Sequence, residues 1–308
     1  MHTILGANGV VGFEISRELS RRGRRVRQVS RHPRRVNDSD ELVVADLLDA
    51  RATDRAVAGS ETAYLVAGLK YDARAWEEQW PRVMSNVIEA CRKHRARLVF
   101  FDNVYAYGRV EGPMTEETPF NPCSRKGEVR ARIATLLLDA MRAREIEALI
   151  ARAADFYGPR AVQSLTHSIV FRRLARGQNP QWIGRLDARH SFTYMPDAGR
   201  AVAVLGQTPT AFGETWHLPT SKEPMSGEQL VRLACELAGK PYSVQVAPRW
   251  MLRVMGWFVP VVRENDEMMY QFEHDYVFAS AKIESRLGLA PTDYRTGIAE
   301  TLSWAKSA

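Results

Sequence analysis

His2-Thr3-Ile4-Leu5-Gly6-Ala7-Asn8-Gly9-Val10-Val11-Gly12, running on into Phe13 to Arg22, is the stretch that decides how this 308-residue chain is read. A short apolar strand enters a turn with glycines three residues apart, and the turn opens a helix. Gly6 permits the sharp turn, Gly9 lets backbone approach a phosphate, and Gly12 lets the helix press against the sheet. The free N–H groups and positive end of the helix then face the anion. The loop from Gly6 through Ala7, Asn8, Gly9, Val10 and Val11 to Gly12 is therefore expected to seat the pyrophosphate of a dinucleotide.

The next strand tip specifies the guest. The helix should stop near Gly23, and Val26 to Val29 reads as the second strand. At its tip, where a free ribose 2′-hydroxyl is held by Asp or Glu, stands Ser30-Arg31-His32-Pro33-Arg34-Arg35, with no carboxylate before Asp38. Arg31 and Arg35 can fork onto phosphate oxygens, and Ser30 can add a hydrogen bond. A carboxylate there would repel a 2′-phosphate by roughly 1–4 kcal/mol. NADP is thus preferred to NAD. Eight arginines crowd Arg21 to Arg35 in a chain of net charge +7. No interleaved aromatics accompany them, so a nucleic-acid partner is not expected.

The composition, 45% hydrophobic and 26% charged, is ordinary for a globular chain. The longest apolar run, Trp250 to Val262, contains Arg253 and Pro260 and is too short to span a bilayer. The glycine loop begins where an apolar leader would lie. Cys91, Cys123 and Cys235 form no C-x-x-C pair, and His167, His190 and His217 lack metal-ligand spacing. A cytoplasmic protein without membrane or metal is expected.

Strand-like and helix-like segments alternate onward. Glu41 to Ala45, Thr62 to Val66, Arg97 to Phe101 and Ala148 to Ala153 read as strands. Trp80 to His94, with Pro81 in its first turn, and Glu128 to Arg144 read as helices. Glu214 to Leu218 reads as a strand returning to the sheet, and Ser226 to Ala238 as a capped helix. The expected fold is α/β, a doubly wound parallel (Rossmann) sheet with a smaller interwoven C-terminal substrate lobe. The dinucleotide-binding domain is drawn over 1–158 plus a returning segment of about 192–220, and the substrate lobe over 159–191 and 221–308.

Together these elements resemble the extended short-chain dehydrogenase/reductase superfamily, which includes the nucleotide-sugar epimerases and dehydratases. The likeness rests on the glycine spacing, Asp46-Leu47, Ala67-Gly68-Leu69-Lys70, Val104 to Gly108, Tyr157-Gly158-Pro159, Phe192 to Asp197, and the ending from Arg286 to Trp304. It implies that Asp46 and Leu47 meet the adenine, and that Ala67, Gly68 and Lys70 flank the phosphates and ribose. It also implies a homodimer built on the helices over 80–94 and 128–144.

The catalytic frame departs from the family. Where family enzymes carry Ser or Thr, this chain has Asn103. Where they carry Tyr-x-x-x-Lys, it has Cys123-Ser124-Arg125-Lys126-Gly127. Lys126, at i+3, stays on nearly the same helix face and can reach the nicotinamide ribose. The resemblance is thus to an atypical member. For proton transfer the candidates are Tyr105, two residues beyond Asn103 on an extended backbone, and Cys123, whose thiolate a helix start and Lys126 would favour. Tyr107 and Tyr157 read as structural, and Asp102 reads equally as a loop cap or a site carboxylate.

On the substrate side, Asp155 replaces the family's diphosphate-holding Asn, and His190 stands where an arginine is usual, with Arg189 beside it. An anion at 155 would oppose a diphosphate, which favours a smaller carbonyl or hydroxyl compound. Trp182, Phe192, Trp250, Met251 and Trp257 either line an apolar pocket or fill ordinary core. The reading is an oxidoreductase using NADP on such a compound, or an epimerase-like variant of it. The alternative is an NADP-holding sensor or regulatory protein whose catalytic machinery is impaired.

Overall fold

The computed structural model describes residues 1–308, with side chains at all positions except 249, 252–255, 260 and 261. Seven strands form one parallel sheet: β1 (His2–Leu5), β2 (Val26–Ser30), β3 (Glu41–Val44), β4 (Thr62–Leu65), β5 (Arg97–Asn103), β6 (Ala148–Ala153) and β7 (Thr215–His217). Their order is β7-β6-β5-β4-β1-β2-β3, as expected of a doubly wound sheet. In it β1 pairs in parallel with both β2 and β4. The order reverses at β1, so the crevice beyond the carboxyl ends of β1 and β4 is the topological switch point, where such sheets bind ligands.

Interior position explains the strand sequences. Every residue of β1, β4 and β6 is buried, so these strands read as continuous rather than alternating runs. Their threonines are satisfied: Thr3 meets Ser60 at 2.6 Å, and Thr62 donates to Gly206 O at 3.2 Å. Edge strand β3 alternates half-buried and exposed residues.

The helices over the sheet are α1 (Val10–Arg21), α2 (Ala50–Val57), α3 (Ala73–His94), α4 (Arg125–Arg142) and α5 (Met195–Leu205). α1 buries Val11, Ile15 and Leu19, one turn apart, and Gly23 follows it at φ +70°. α3 departs from the expected bounds, starting at Ala73 and carrying Pro81 in its interior. Asp72 caps it by accepting from Ala75 N at 2.9 Å, and Trp76 and Trp80 bury on one face a turn apart. That burial outweighs the helical bond Pro81 cannot donate. α4 begins three residues earlier than expected, which places Lys126 in its first turn. Among the described residues no helix is long and apolar enough to cross a membrane.

The chain divides into two compact units. The first comprises Met1–Ala106, Arg125–Arg152 and Ala198–Leu218; the second comprises Tyr107–Ser124, Ala153–Asp197 and Pro219–Ala308. Compared with the division drawn from sequence, Tyr107–Ser124 and the run from Ala153 to 158 go to the second unit. The reason is pairing within that unit. Met114 bridges Phe278, Tyr276 Oη donates to Gly108 O at 3.3 Å, and Asp155–Tyr157 pairs in parallel with Phe192–Tyr194. The second unit centres on Tyr157, Phe171, Trp182, Phe192, Leu230 and Ile298, all at most 1% exposed. Its helix Gly227–Leu237 carries a full capping box between Ser226 and Gln229.

Candidate functional site

The glycine loop sits at the switch point in the first unit. Gly6 has φ +94°, and a Cβ built on it would lie 2.3 Å from Ala67 Cα, so the loops after β1 and β4 touch backbone to backbone. A Cβ at Gly12 would meet Ile4 at 3.2 Å and Val66 at 3.5 Å, the close helix–sheet contact the spacing required. Gly9 differs: nothing lies within 4 Å of its Cβ position, and as N-cap it offers α1 no side-chain cap. The first-turn N–H groups of Val10, Val11 and Gly12 therefore open onto a cradle an anion can fill.

Asn8, at φ +85°, latches this loop to the tip of β2. It donates to Ser30 Oγ at 3.2 Å and to His32 O at 2.7 Å, and accepts from Arg34 N at 3.1 Å. Ser30 Oγ also accepts from His32 N, so its own hydrogen remains to be given. Of the arginines, Arg35 turns toward its own loop. Its guanidinium donates to Asp38 O at 2.8 Å and to Asp40 O, closing its own loop. Arg31 and Arg34 are exposed, and no side-chain partner engages them among the described residues. Arg34, which the sequence reading did not single out, stands beside Arg31 at the same strand tip.

Asp46 is exposed and accepts from Leu48 N at 3.0 Å, whereas the Leu47 side chain is buried and its carbonyl accepts from Asn86 Nδ2 at 2.9 Å. Ala67 lies against Gly6, Gly68 is open to a Cβ, and Lys70 is exposed.

At the carboxyl end of β5 the first unit gathers Asn103, Tyr105 and Lys126. The turn Val104–Tyr107 is a 3-10 helix, so Tyr105 does not continue an extended backbone beyond Asn103. Instead, Asn103 Oδ1 accepts from Tyr105 N at 3.1 Å and caps that turn, which leaves its amide hydrogens to point elsewhere. The Tyr105 ring stacks on Trp76, with centroids 6.4 Å apart and planes 20° apart. Lys126 is wholly buried, its Nζ 4.6 Å from the ring centre of Tyr71. Tyr71 was not singled out from sequence; only its place two residues before α3, at a strand's carboxyl end, could have marked it. Cys123 is exposed and belongs to the second unit. Asp102 is neither loop cap nor site carboxylate. It is held by Arg130 and Arg152 in a buried ion cluster.

The second unit gathers the expected substrate residues differently from the reading. His190 Nε2 lies 2.9 Å from Asp155 Oδ2, and His190 Nδ1 lies 3.0 Å from Gln271 O. A carbonyl only accepts, so Nδ1 carries hydrogen toward Gln271. One more hydrogen must lie between Nε2 and Oδ2. Either way the pair is electrically neutral, so Asp155 is not the lone anion its sequence position suggested. His190 is 2% exposed and stacks on Phe272 with centroids 4.6 Å apart. Arg189 is taken away from the site by Asp275, whose carboxylate accepts from both its backbone N–H and its guanidinium. Burial pushes the Tyr270 phenol up to about 12, with Cys123 and Asp155 adding to the rise, so Tyr270 stays a hydroxyl near that pair.

The aromatic residues proposed for a pocket are not brought together. Trp182 and Phe192 are 1% exposed in the core, while Trp250 and Trp257 are 69% and 78% exposed. Tyr157 is core as well, its phenol raised by burial.

Residues 2–218 match the NAD dependent epimerase/dehydratase family. A 3-diazoavenalumate denitrifying reductase from a Streptomyces species is 25% identical over 312 residues, covering 96% of this chain and 98% of that protein. The UDP-glucose 4-epimerase of Thermus thermophilus, solved in complex with NAD, superposes with a TM-score of 0.81 at 20% identity and covers 100% of both chains. A double mutant of the dTDP-glucose 4,6-dehydratase of Streptomyces venezuelae, solved with NAD, gives 0.81 at 18% identity, covering 99% of this chain and 96% of that one. At these identities the two structures establish a shared fold.

Proposed function

Because the chain belongs to the NAD-dependent epimerase/dehydratase family, we propose that it is an NADP-dependent reductase of a small carbonyl compound without a phosphate group. The observation that carries the reading is Lys126. A wholly buried lysine in the first turn of a helix, at the dipole's positive end, is costly for stability, and holding the nicotinamide ribose is a use that accounts for it. When bound, the cofactor supplies hydride. Gly6 to Gly12 cradle its pyrophosphate, Gly68 leaves its path clear, and Ser30, Arg31 and Arg34 take the 2′-phosphate. Purified protein should oxidise NADPH with some member of a panel of benzaldehydes, aliphatic aldehydes and cyclic ketones. Tight NADPH binding with no turnover on any of them would favour the sensor alternative.

The 2′-phosphate assignment has its own test. Arg31→Ala and Arg34→Ala each remove one charge-assisted contact worth about 1.5–3 kcal/mol. Each should weaken NADPH binding roughly tenfold or more and leave NADH affinity unchanged, read by nicotinamide fluorescence. Equal losses for both cofactors would reject the NADP preference.

The substrate class follows from the neutral Asp155–His190 pair and the diverted Arg189, which together offer a diphosphate no net positive charge. A polar but uncharged group suits such a pair.

A second reading is favoured by the denitrifying reductase relative together with Cys123. Replacing an aromatic diazonium group by hydride releases dinitrogen and needs no proton, so a missing helix tyrosine costs that reaction nothing. Carbonyl reduction does need one. A benzenediazonium salt in the same panel separates the two.

A further inference from the structure

The geometry points to Tyr71 as the proton donor that stands in for the tyrosine missing at Cys123, an assignment that rests on the carbonyl-reductase reading. Tyr71 comes from the loop between β4 and α3, not from α4. It is half-buried at the carboxyl end of the sheet, four residues beyond Ala67, whose backbone abuts Gly6. The Lys126 ammonium lies 4.6 Å from its ring centre. The family pairs tyrosine and lysine along one helix; here the lysine keeps its helix and meets a tyrosine from another element.

A second observation marks the same place as one where a ligand is awaited. Trp76 packs edge-on against Tyr71, with centroids 5.6 Å apart and planes at 84°. It is 6% exposed, and its indole N–H is buried with no acceptor among the described residues. A buried donor left unpaired costs about 1–3 kcal/mol, so an acceptor supplied by a ligand is the expected partner. Tyr71 and Trp76 thus bring a hydroxyl and an indole N–H to one pair of touching rings, a donor set suited to a carbonyl oxygen with its two lone pairs. Tyr105, stacked on Trp76, extends the aromatic wall.

The step balances. With the reduced cofactor bound, a hydride would add to the carbonyl carbon and the π electron pair would pass to oxygen. The Tyr71 O–H bond breaks as the new O–H bond forms. The resulting phenolate lies beside the Lys126 cation and regains its proton from water. The Asp72 carboxylate next door is held below its usual range, first by the Ala75 N–H it accepts and then by the charges of Lys70 and Lys126. Its anion therefore keeps the neighbourhood from carrying an unbalanced lysine.

The test joins kinetics to a spectroscopic readout. In Tyr71→Phe, kcat for the best aldehyde of the panel should fall at least ~100-fold, the usual contribution of a positioned acid. NADPH affinity should stay within about twofold. Separately, 3-fluorotyrosine placed at position 71 should show a fluorine resonance that shifts on adding NADP+, and again when Lys126 is replaced by methionine. An active wild type whose Tyr71→Phe variant is equally fast overturns the assignment and leaves the reductase reading standing. A resonance indifferent to NADP+ overturns it too. If no carbonyl is reduced by the wild type, the reductase reading fails first, and the fluorine shift still decides whether Tyr71 faces the cofactor.

Discussion

Asp102→Asn is expected to destabilise the protein by about 3–5 kcal/mol, the usual consequence of removing one partner from a buried ion cluster. Against a typical total of about 5–15 kcal/mol, that is enough to leave much of the chain unfolded at ordinary temperature. Asp102 is completely buried at the end of β5. Its Oδ1 accepts from Arg130 Nε at 2.8 Å and from a second Arg130 nitrogen. Its Oδ2 accepts from Arg152 Nε at 3.0 Å and Nη2 at 2.8 Å. Both guanidiniums are at most 5% exposed, so the amide would strand two cations away from water. Urea denaturation of the variant reads the loss; an unchanged midpoint would show that the cluster contributes nothing. The triple variant Asp102→Leu, Arg130→Met, Arg152→Met should recover most of the stability, because an apolar cluster leaves no charge to compensate.

The same cluster sets an acid limit. Burial pushes the Asp102 carboxyl up, but the two guanidiniums and their hydrogen bonds pull it down further, so its folded value lies below the ordinary carboxylate range. A lowered folded pKa gives stability that is present in full above the unfolded value of about 3.9 and is lost as pH falls toward the folded value. Wild type should therefore lose stability below about pH 4 more steeply than the apolar triple variant.

Gly6→Ala is the second large effect. The left-handed backbone there costs a non-glycine residue about 1–3 kcal/mol. The added Cβ would also lie 2.3 and 2.5 Å from backbone atoms of Ala67, which cannot rotate away as a side-chain tip would. The loops after β1 and β4 must part, so both the melting temperature and NADPH binding should drop, the latter by ~100-fold or more at a cost of about 2.7 kcal/mol. Gly9→Ala is its counterpart. Its backbone, at φ −77°, accepts alanine, and its Cβ meets no protein atom. It should melt like wild type and yet bind NADPH weakly, since the methyl group fills the space left for phosphate. A Gly9→Ala protein that binds normally would place the dinucleotide elsewhere.

Much of the fold was legible because its signals are local. Gly6 and Gly12 announce a turn and a close helix contact within eleven residues, and the buried strands β1, β4 and β6 are short, largely apolar runs without a polar alternation. The α3 boundary was not legible. Pro81 is the strongest helix-start signal in its neighbourhood, and only the burial of Trp76 and Trp80 against the sheet extends the helix seven residues ahead of the expected start at Trp80. Likewise, nothing local distinguishes Arg35 from Arg34. The former folds back onto Asp38 and Asp40 carbonyls, and the latter is held out by Asn8.

Local sequence was enough to establish the dinucleotide-type sheet and the arginine-bearing strand tip, together with the loss of the helix tyrosine at Cys123. Each depends on residues within a few positions of one another, where backbone geometry and spacing act directly. What distant residues become to each other was set by folding in three dimensions. Asp102, Arg130 and Arg152 become one charge cluster; Asp155 and His190 come within hydrogen-bond distance; Lys126 is buried against Tyr71. Hydrogen bonds and charges act over a few ångströms of space, whatever the separation along the chain, so those partnerships exist only once the chain has folded.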